Sequence, residues 1–139
     1  MIANVTELLQ AFKYWAASQS DIVAVALVGS YARGEATVDS DVDVMILTHV
    51  VEQYLLDSSW ASAFGEVVGF QEESYGRVTS LRVFYKDGIE VEYGFSTPEW
   101  ANLPMDHGTL RVVRDGIKAL YDPQSIILNM QSELGSSME

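Results

Sequence analysis

Hydrophobic residues in the first third of the chain follow two different periods. Between residues 3 and 18 they recur every three or four positions, as they do along one face of a helix. Residues 22–28 are almost wholly apolar, which predicts a strand buried on both faces. Residues 41–48 alternate acidic and apolar side chains before they become fully apolar. This pattern predicts a second strand whose beginning has one polar face.

The middle of the chain predicts a broken helix followed by three strands. Residues 50–64 have a helical pattern that breaks near Asp57, where Ser58 is placed to cap a second short turn. The strand signal is weak over residues 66–74 and strong over residues 77–85 and 89–95. Lys86-Asp87-Gly88 has the composition of a hairpin turn between the two strong strands.

The last third of the chain predicts a short helix, a strand and a final helix. Thr97 and Pro98 form the start signal of a helix that ends before Pro104. The remaining predictions are a strand at 117–122, a helix at about 123–134 and a frayed end at 135–139. Because helices and strands are mixed and one hairpin forces antiparallel pairing, the predicted class is α+β, or a mixed α/β sheet with helices packed on it. We expect residues 1–139 to form a single domain, since no repeat or linker interrupts them.

Composition and charge limit the cellular compartments and the classes of partner that we expect for this protein. The chain has no cysteine, which excludes disulfides and thiolate zinc sites and fits a reducing cytoplasm. The N-terminus lacks the pattern of a signal peptide, and no apolar run approaches the roughly 20 residues that cross a membrane. We therefore expect a cytoplasmic protein. The net charge of −12 disfavours nucleic acid and suits a basic protein or a cationic small molecule.

Asp41 and Asp43 are the first candidate chemical group. Residues two apart on a strand leave the same face, with α-carbons about 6–7 Å apart. Two carboxylates aimed at one place repel each other, and each raises the pKa of the other. A divalent cation resolves that conflict, and oxygen-only ligands favour Mg²⁺, Mn²⁺ or Ca²⁺. The pair therefore predicts a site for one of these metals.

Three common motifs do not account for this segment. An EF-hand that begins at Asp39 would need glycine and glutamate where the chain has Val44 and Val50. A P-loop would need a lysine followed by a hydroxyl residue, which GSYARG lacks. A serine-hydrolase elbow would need glycine two residues before Ser30, where Val28 stands. What remains is a strand, a glycine–serine turn that can admit a phosphate, and two aspartates on the next strand.

The whole segment resembles the signature of the polymerase β superfamily of nucleotidyltransferases. That signature is Gly-Ser, ten residues and Asp-x-Asp, which here is Gly29-Ser30, YARGEATVDS and Asp41-Val42-Asp43. The extended form of the signature also matches, at Ala32, Arg33, Gly34 and Ser40. The resemblance covers about residues 22–95 and implies a mixed sheet flanked by helices. It also implies a closing strand and a C-terminal helix at about residues 109–134.

Members of this superfamily carry a third carboxylate on a later strand. Here Glu90 and Glu92 are the candidates, and the V-E-Y context of Glu92 fits the family pattern better, with Glu90 in reserve. The resemblance thus implies that Asp41, Asp43 and Glu92 are the metal ligands and the catalytic residues.

The length of the hairpin loop decides which residue faces Glu92. A three-residue loop places Arg82 opposite Glu92 across the two strands, as a salt bridge or a phosphate contact. A two-residue loop places Val83 there instead.

The resemblance implies a transferase that moves a nucleoside monophosphate from an NTP to an acceptor hydroxyl and releases pyrophosphate. ATP is the expected donor, and two Mg²⁺ ions, or Mn²⁺ in their place, are expected on the three carboxylates. Gly29, Ser30, Arg33 and Ser40 are expected to bind the nucleotide, although Arg33 is equally suited to a surface ion pair.

The acceptor is open between two classes. Small members of the superfamily work beside a separate helical partner protein and can modify it with AMP, and in some toxin–antitoxin pairs they are the antitoxin. The short chain and acidic surface suit that role. A cationic small molecule such as an aminoglycoside is the rival acceptor. A binding module that acts through its partner and transfers nothing is the alternative to an enzyme.

Overall fold

The computed structural model describes residues 4–137, and the side chains of residues 4–134. The first residue of the predicted N-terminal helix, Ala3, and the last two residues of the predicted frayed end lie outside that range. No helix within the described range is long and apolar enough to cross a membrane. The final helix continues beyond the predicted end at residue 134, as far as Ser137.

Six strands form one sheet. Their bounds are β1 Ile22–Val28, β2 Val42–Thr48, β3 Val67–Tyr75, β4 Val78–Tyr85, β5 Glu90–Ser96 and β6 Ile117–Tyr121. They lie in the order β3-β4-β5-β2-β1-β6. β2 and β5 pair in parallel, and the other neighbours in this sheet pair antiparallel. The predicted class, a mixed and mostly antiparallel sheet with helices, is confirmed.

Helices cover both faces of the sheet. The α-helices are α1 Val5–Ser18, α2 Gly29–Arg33, α3 Val51–Leu56, α4 His107–Asp115 and α5 Ile126–Ser137. Two 3₁₀ helices span Ser59–Phe64 and Pro98–Ala101. α1 begins where the side chain of Asn4 accepts a hydrogen bond from the backbone N–H of Glu7 at 2.9 Å.

The hydrophobic core has one layer on each side of the sheet. On the first side, the Phe12 ring of α1 packs against Phe64 at 5.2 Å and Tyr93 at 5.4 Å between ring centroids. On the second side, Trp100 and Ile127 are buried against β1 and β2. Both of these central strands are therefore covered on two faces, which is why their sequences are so uniformly apolar.

The register of the sheet aligns three polar residues. Parallel pairing places Asp43 of β2 level with Glu92 of β5. Antiparallel pairing places Arg82 of β4 level with the same Glu92. The hairpin closes with a hydrogen bond from Tyr85 N to Ile89 O at 2.9 Å, so its loop has three residues and the corresponding prediction for Arg82 is confirmed.

Residues 107–115 form helix α4, whereas the sequence analysis predicted that a closing strand began at about residue 109. That prediction is wrong for residues 109–115, whereas the strand predicted at 117–122 is confirmed as β6, which pairs with β1. The β-branched residues of α4 favour a strand locally, but Asp106 caps the helix by accepting from Thr109 N at 2.9 Å. Val113 is then buried against the sheet, and this packing overrides the local preference.

The break between α3 and the first 3₁₀ helix is capped by a different residue from the predicted one. The Oδ1 atom of Asp57 accepts from the backbone N–H of Ser59 at 3.1 Å. Ser58 makes no side-chain cap to this helix. The predicted break is thus confirmed in position, but the cap is Asp57, because its longer side chain reaches a backbone donor two residues ahead.

Replacing Phe12 with alanine should destabilise the protein strongly. Phe12 is fully buried, so the change removes ring contacts and leaves a cavity, at a cost of about 3–5 kcal/mol. Urea unfolding measures that loss. Tyr14→Ala on the same helix is the control, since the Tyr14 side chain is 70% exposed and its loss should cost less than about 0.5 kcal/mol. Equal losses in the two variants would contradict this account of the core.

Candidate active site

The turn between β1 and α2 places Gly29 against Asp43. Val28 lies opposite Asp43 in the β1–β2 pairing, and Gly29 follows with a φ of 74°. A Cβ atom at Gly29 would lie 2.4 Å from Asp43 Oδ2, far inside van der Waals contact. Glycine therefore supplies both the backbone conformation and the space that the Asp43 carboxylate occupies.

Asp41, Asp43 and Glu92 converge on one place. Each offers one carboxylate oxygen, and the three oxygens lie within 4.8 Å of one another. Asp43 and Glu92 are level on parallel neighbours, and Asp41 directly precedes β2 on the same face as Asp43. Glu90 is outside this group and contacts Arg82 instead. The structure therefore groups Glu92, rather than Glu90, with the aspartate pair.

This convergence shifts the pKa of Asp43. Burial, the nearby charge of Asp41, and both a hydrogen bond and a charge from Glu92 raise the pKa of Asp43 to about 8, and the positive charge of Arg82 offsets this only in part. An aspartate normally ionises far below neutral pH. The positive charge of Arg82 is therefore too small to offset the burial of Asp43 and the negative charges beside it.

Arg82 lies at the centre of the acidic cluster. Its Nη1 atom is 3.0 Å from Asp41 Oδ2 and 2.5 Å from Glu90 Oε2. Its Nε atom is 3.0 Å from Glu73 Oε1, and its Nη2 atom is 3.2 Å from Glu92 Oε2. The side chain is 20% exposed, so these ion pairs are partly shielded from water. One guanidinium thus neutralises part of a charge that would otherwise drive the carboxylates apart.

The other residues predicted to bind nucleotide lie around the turn. Ser30 is in the first turn of α2, and its carbonyl accepts from Glu35 N at 3.0 Å. Arg33 ends α2 and forms an ion pair with Glu35, 3.5 Å between Nε and Oε2. The Oγ atom of Ser40 accepts from Thr37 N at 2.9 Å and so helps to close the turn before β2. Nucleotide binding by these residues stays a prediction.

A pocket of about 500 Å³ extends from the carboxylates over the second face of the sheet. Two small residues of the sheet, Ser80 on β4 and Gly94 on β5, line the pocket. A Cβ atom at Gly94 would lie 3.2 Å from Val78 Cγ1, so a side chain there would crowd the floor. Trp100 and residues of α4 form part of the wall.

The charged lining of this pocket is mostly acidic. Its charged residues are Arg33, Asp43, Glu92, Asp106 and Asp115. The rest of the lining combines apolar side chains with the hydroxyl groups of Ser80 and Thr109, which gives a cavity suited to a molecule with an apolar body and positive charge.

Some features of the site escaped the sequence analysis. A three-residue hairpin loop predicted that Arg82 lies opposite Glu92. Nothing in the sequence indicated the contacts of Arg82 with Asp41, which precedes β2, or with Glu73 on β3. Asp106 and Asp115 were missed because helix α4 was not predicted. The N-cap signal of Asp106 before Thr109 could have found it.

The carboxylate triad has the donor set of a hard divalent cation. Three carboxylate oxygens converge, and the pKa of Asp43 is raised first by burial and then by Asp41 and Glu92, whose negative charges a bound cation would offset. Mg²⁺ binds one or two protein carboxylates together with substrate phosphates, which the Gly29-Ser30 turn can approach. Paired carboxylates beside a glycine–serine turn on a mixed sheet are an arrangement suited to phosphoryl-type transfer.

Comparison with known proteins agrees with this class. A family model described as nucleotidyltransferase domain matches residues 7–96, most of the chain. The protein therefore belongs to the nucleotidyltransferase domain family. No curated protein sequence matches it significantly.

Solved structures include an aminoglycoside 6-adenyltransferase from Bacillus subtilis with a similar fold. The TM-score is 0.55 at 15% sequence identity, and the match covers 69% of this chain and 36% of that chain. This chain therefore spans only about a third of that enzyme's length. The likeness confirms the fold.

Gly29→Ala should displace Asp43 and weaken binding of Mn²⁺ to the triad. The new Cβ would overlap Asp43 Oδ2, so the carboxylate must move, and we expect the Kd for Mn²⁺ to rise at least about tenfold. Gly34→Ala is a matched control. Gly34 has the same φ of 74° but nothing within 4 Å of its Cβ position, so it tests backbone strain without the overlap. Isothermal titration calorimetry measures both variants, and equal Mn²⁺ affinity in the two would contradict the assigned role of Gly29.

Asp43→Asn should stabilise the metal-free protein increasingly as pH rises. The pKa of Asp43 is raised from 3.8 to about 8 on folding, so the folded state holds the proton more tightly than the unfolded state. The wild-type protein therefore loses stability as pH rises between those values, and asparagine removes that loss. The difference in unfolding free energy between the two should widen by roughly 1–3 kcal/mol from pH 5 to 9, after allowing for solvent screening.

Urea unfolding across that pH range, with a chelator present, measures the difference. Glu52→Gln removes an exposed acid on α3 and controls for general charge, so its difference from wild type should stay nearly constant. A pH-independent gap between Asp43→Asn and wild type would show that Asp43 ionises normally.

Proposed function

We propose that this enzyme transfers AMP from ATP to an acceptor hydroxyl, with Mg²⁺ held by Asp41, Asp43 and Glu92. The observation that carries the proposal is the convergence of these three carboxylates within 4.8 Å, next to the Gly29-Ser30 turn. A site of this kind suits a reaction in which phosphates are held in place and little covalent chemistry falls to the protein.

Each residue has a defined part in this reaction. Gly29, Ser30, Arg33 and Ser40 would hold the triphosphate, with backbone N–H groups near the glycine and a guanidinium at Arg33. When bound, two Mg²⁺ ions would lower the pKa of the acceptor hydroxyl and stabilise the pyrophosphate that leaves. Glu92 is placed to accept the hydroxyl proton as the acceptor oxygen bonds to the α-phosphorus. The bond from that phosphorus to pyrophosphate breaks in the same step.

The pocket favours a small cationic acceptor. Its volume of about 500 Å³ suits one small organic molecule, and its acidic lining suits an amine. The aminoglycoside 6-adenyltransferase of similar fold acts, by its name, on such a cation. We include this class as the first acceptor to test.

A partner protein is the second candidate acceptor. The net charge of −12 would attract a basic partner. Such a partner could be modified with AMP, as in some toxin–antitoxin pairs, or simply bound without transfer. We expect either arrangement to operate in the cytoplasm, with residues 1–139 acting as one domain.

Nucleotide transfer from α-labelled ATP, GTP, CTP or UTP with Mg²⁺ tests the proposal. Label should appear on the acceptor with ATP and not in a chelator, and Asp41→Asn or Asp43→Asn should lower the rate by at least about 10³-fold because metal ligands are lost. Two arms separate the acceptors. One adds an aminoglycoside, and the other adds cell lysate and follows label into protein.

Circular dichroism checks that the variants remain folded, and Glu52→Gln is again the surface control. Wild-type rates of transfer in a variant that carries both Asp41→Asn and Asp43→Asn would exclude the triad. If both variants lose transfer but keep the full effect of the protein in cells, the binding-module alternative is correct.

A further inference from the structure

Arg82 divides its contacts between two kinds of carboxylate. It donates from Nη1 to Asp41 and from Nη2 to Glu92, which both belong to the triad. It also donates from Nε to Glu73 and from Nη1 to Glu90, which lie outside the triad. The guanidinium is therefore held from both sides. Because it is planar and always protonated, the directions of these bonds are fixed.

We propose that Arg82 is a positioning residue for the metal site, which orients Asp41 and Glu92 by binding one oxygen of each. This inference rests on the proposed role of the triad. A carboxylate has lone pairs on both oxygens, so it can accept from a guanidinium and still offer the second oxygen to a metal. Groups that orient metal ligands in this way typically change metal affinity 10–100-fold when they are removed.

The strands explain how one residue reaches both ligands. Arg82 on β4 lies directly opposite Glu92 on β5, while Asp41 approaches from the start of β2, one strand further. The carboxylates of Glu73 and Glu90 keep the guanidinium from rotating away toward solvent. Arg82 forms no ion pair of this kind with Asp43, whose carboxylate lies beside Gly29 and is hydrogen-bonded to Glu92.

A rival role for a cation in this place is to occupy the metal site until an ion displaces it. Displacement would break the bonds to Asp41 and Glu92 and leave a mostly buried guanidinium with fewer partners, which is costly. The two roles predict opposite signs. Removing a competing positive charge strengthens the binding of another cation. Removing a positioning group weakens it.

Mn²⁺ binding to the full chain without nucleotide separates these roles. Free Mn²⁺ is measured by electron paramagnetic resonance for wild type, Arg82→Gln and Arg82→Lys. We expect the Kd to rise 10–100-fold in both variants, since neither glutamine nor lysine supplies the planar fork. Arg77→Gln is the matched control. Arg77 is exposed in the turn between β3 and β4. Its loss should change the Kd less than about twofold, because solvent and salt screen its charge.

An Arg82→Gln variant that binds Mn²⁺ as tightly as wild type, or more tightly, overturns the inference. If glutamine prevents folding, as judged by circular dichroism, Arg82→Lys carries the test because it keeps the charge. A wild-type Kd in that variant also overturns the inference. If Mn²⁺ binding to the wild-type protein does not depend on Asp41 and Asp43, both the proposed function and the inference fail. If only the Arg82 variants give an unexpected Kd, the inference fails alone, so the two failures are distinguishable.

Discussion

The repulsion between carboxylates at the start of β2 and β5 is the constraint on which the rest of the site depends. Parallel pairing of these strands places Asp43 level with Glu92, and Asp41 adds a third acid on the same face. A sheet can hold such a group only if positive charge lies close by. Arg82 on the next strand supplies part of that charge, and the neighbouring Glu73 and Glu90 keep it there.

The balance of charge is incomplete, and this is useful to an enzyme. Even with Arg82 present, the pKa of Asp43 is raised to about 8. The metal-free fold therefore stores an unfavourable interaction that a divalent cation would relieve. Gly29 contributes to the same arrangement, because it lets the backbone of the β1–α2 turn approach Asp43 without a clash.

The pocket beside the triad follows from small residues on the sheet. Ser80 and Gly94 leave a depression, and α4 and the 3₁₀ helix that carries Trp100 border it. Much of this wall comes from beyond the segment that matches the family, which ends at residue 96. The part of the chain that is least predictable from its family thus forms much of the boundary of the cavity next to the carboxylates.

The sequence by itself determined the two buried strands, the turn at Gly29 and the acidic pair, because each depends on local spacing and on a fixed signature. From the sequence, either Arg82 or Val83 could face Glu92, and the three-residue loop of the folded hairpin selects Arg82. Tertiary structure decided the rest. Glu92 joins Asp41 and Asp43 while Glu90 does not, because strand pairing sets which side chains converge. Helix α4 forms against its local β preference, because a cap and burial against the sheet outweigh propensity. That burial depends on contacts between distant segments, which local sequence patterns do not reveal.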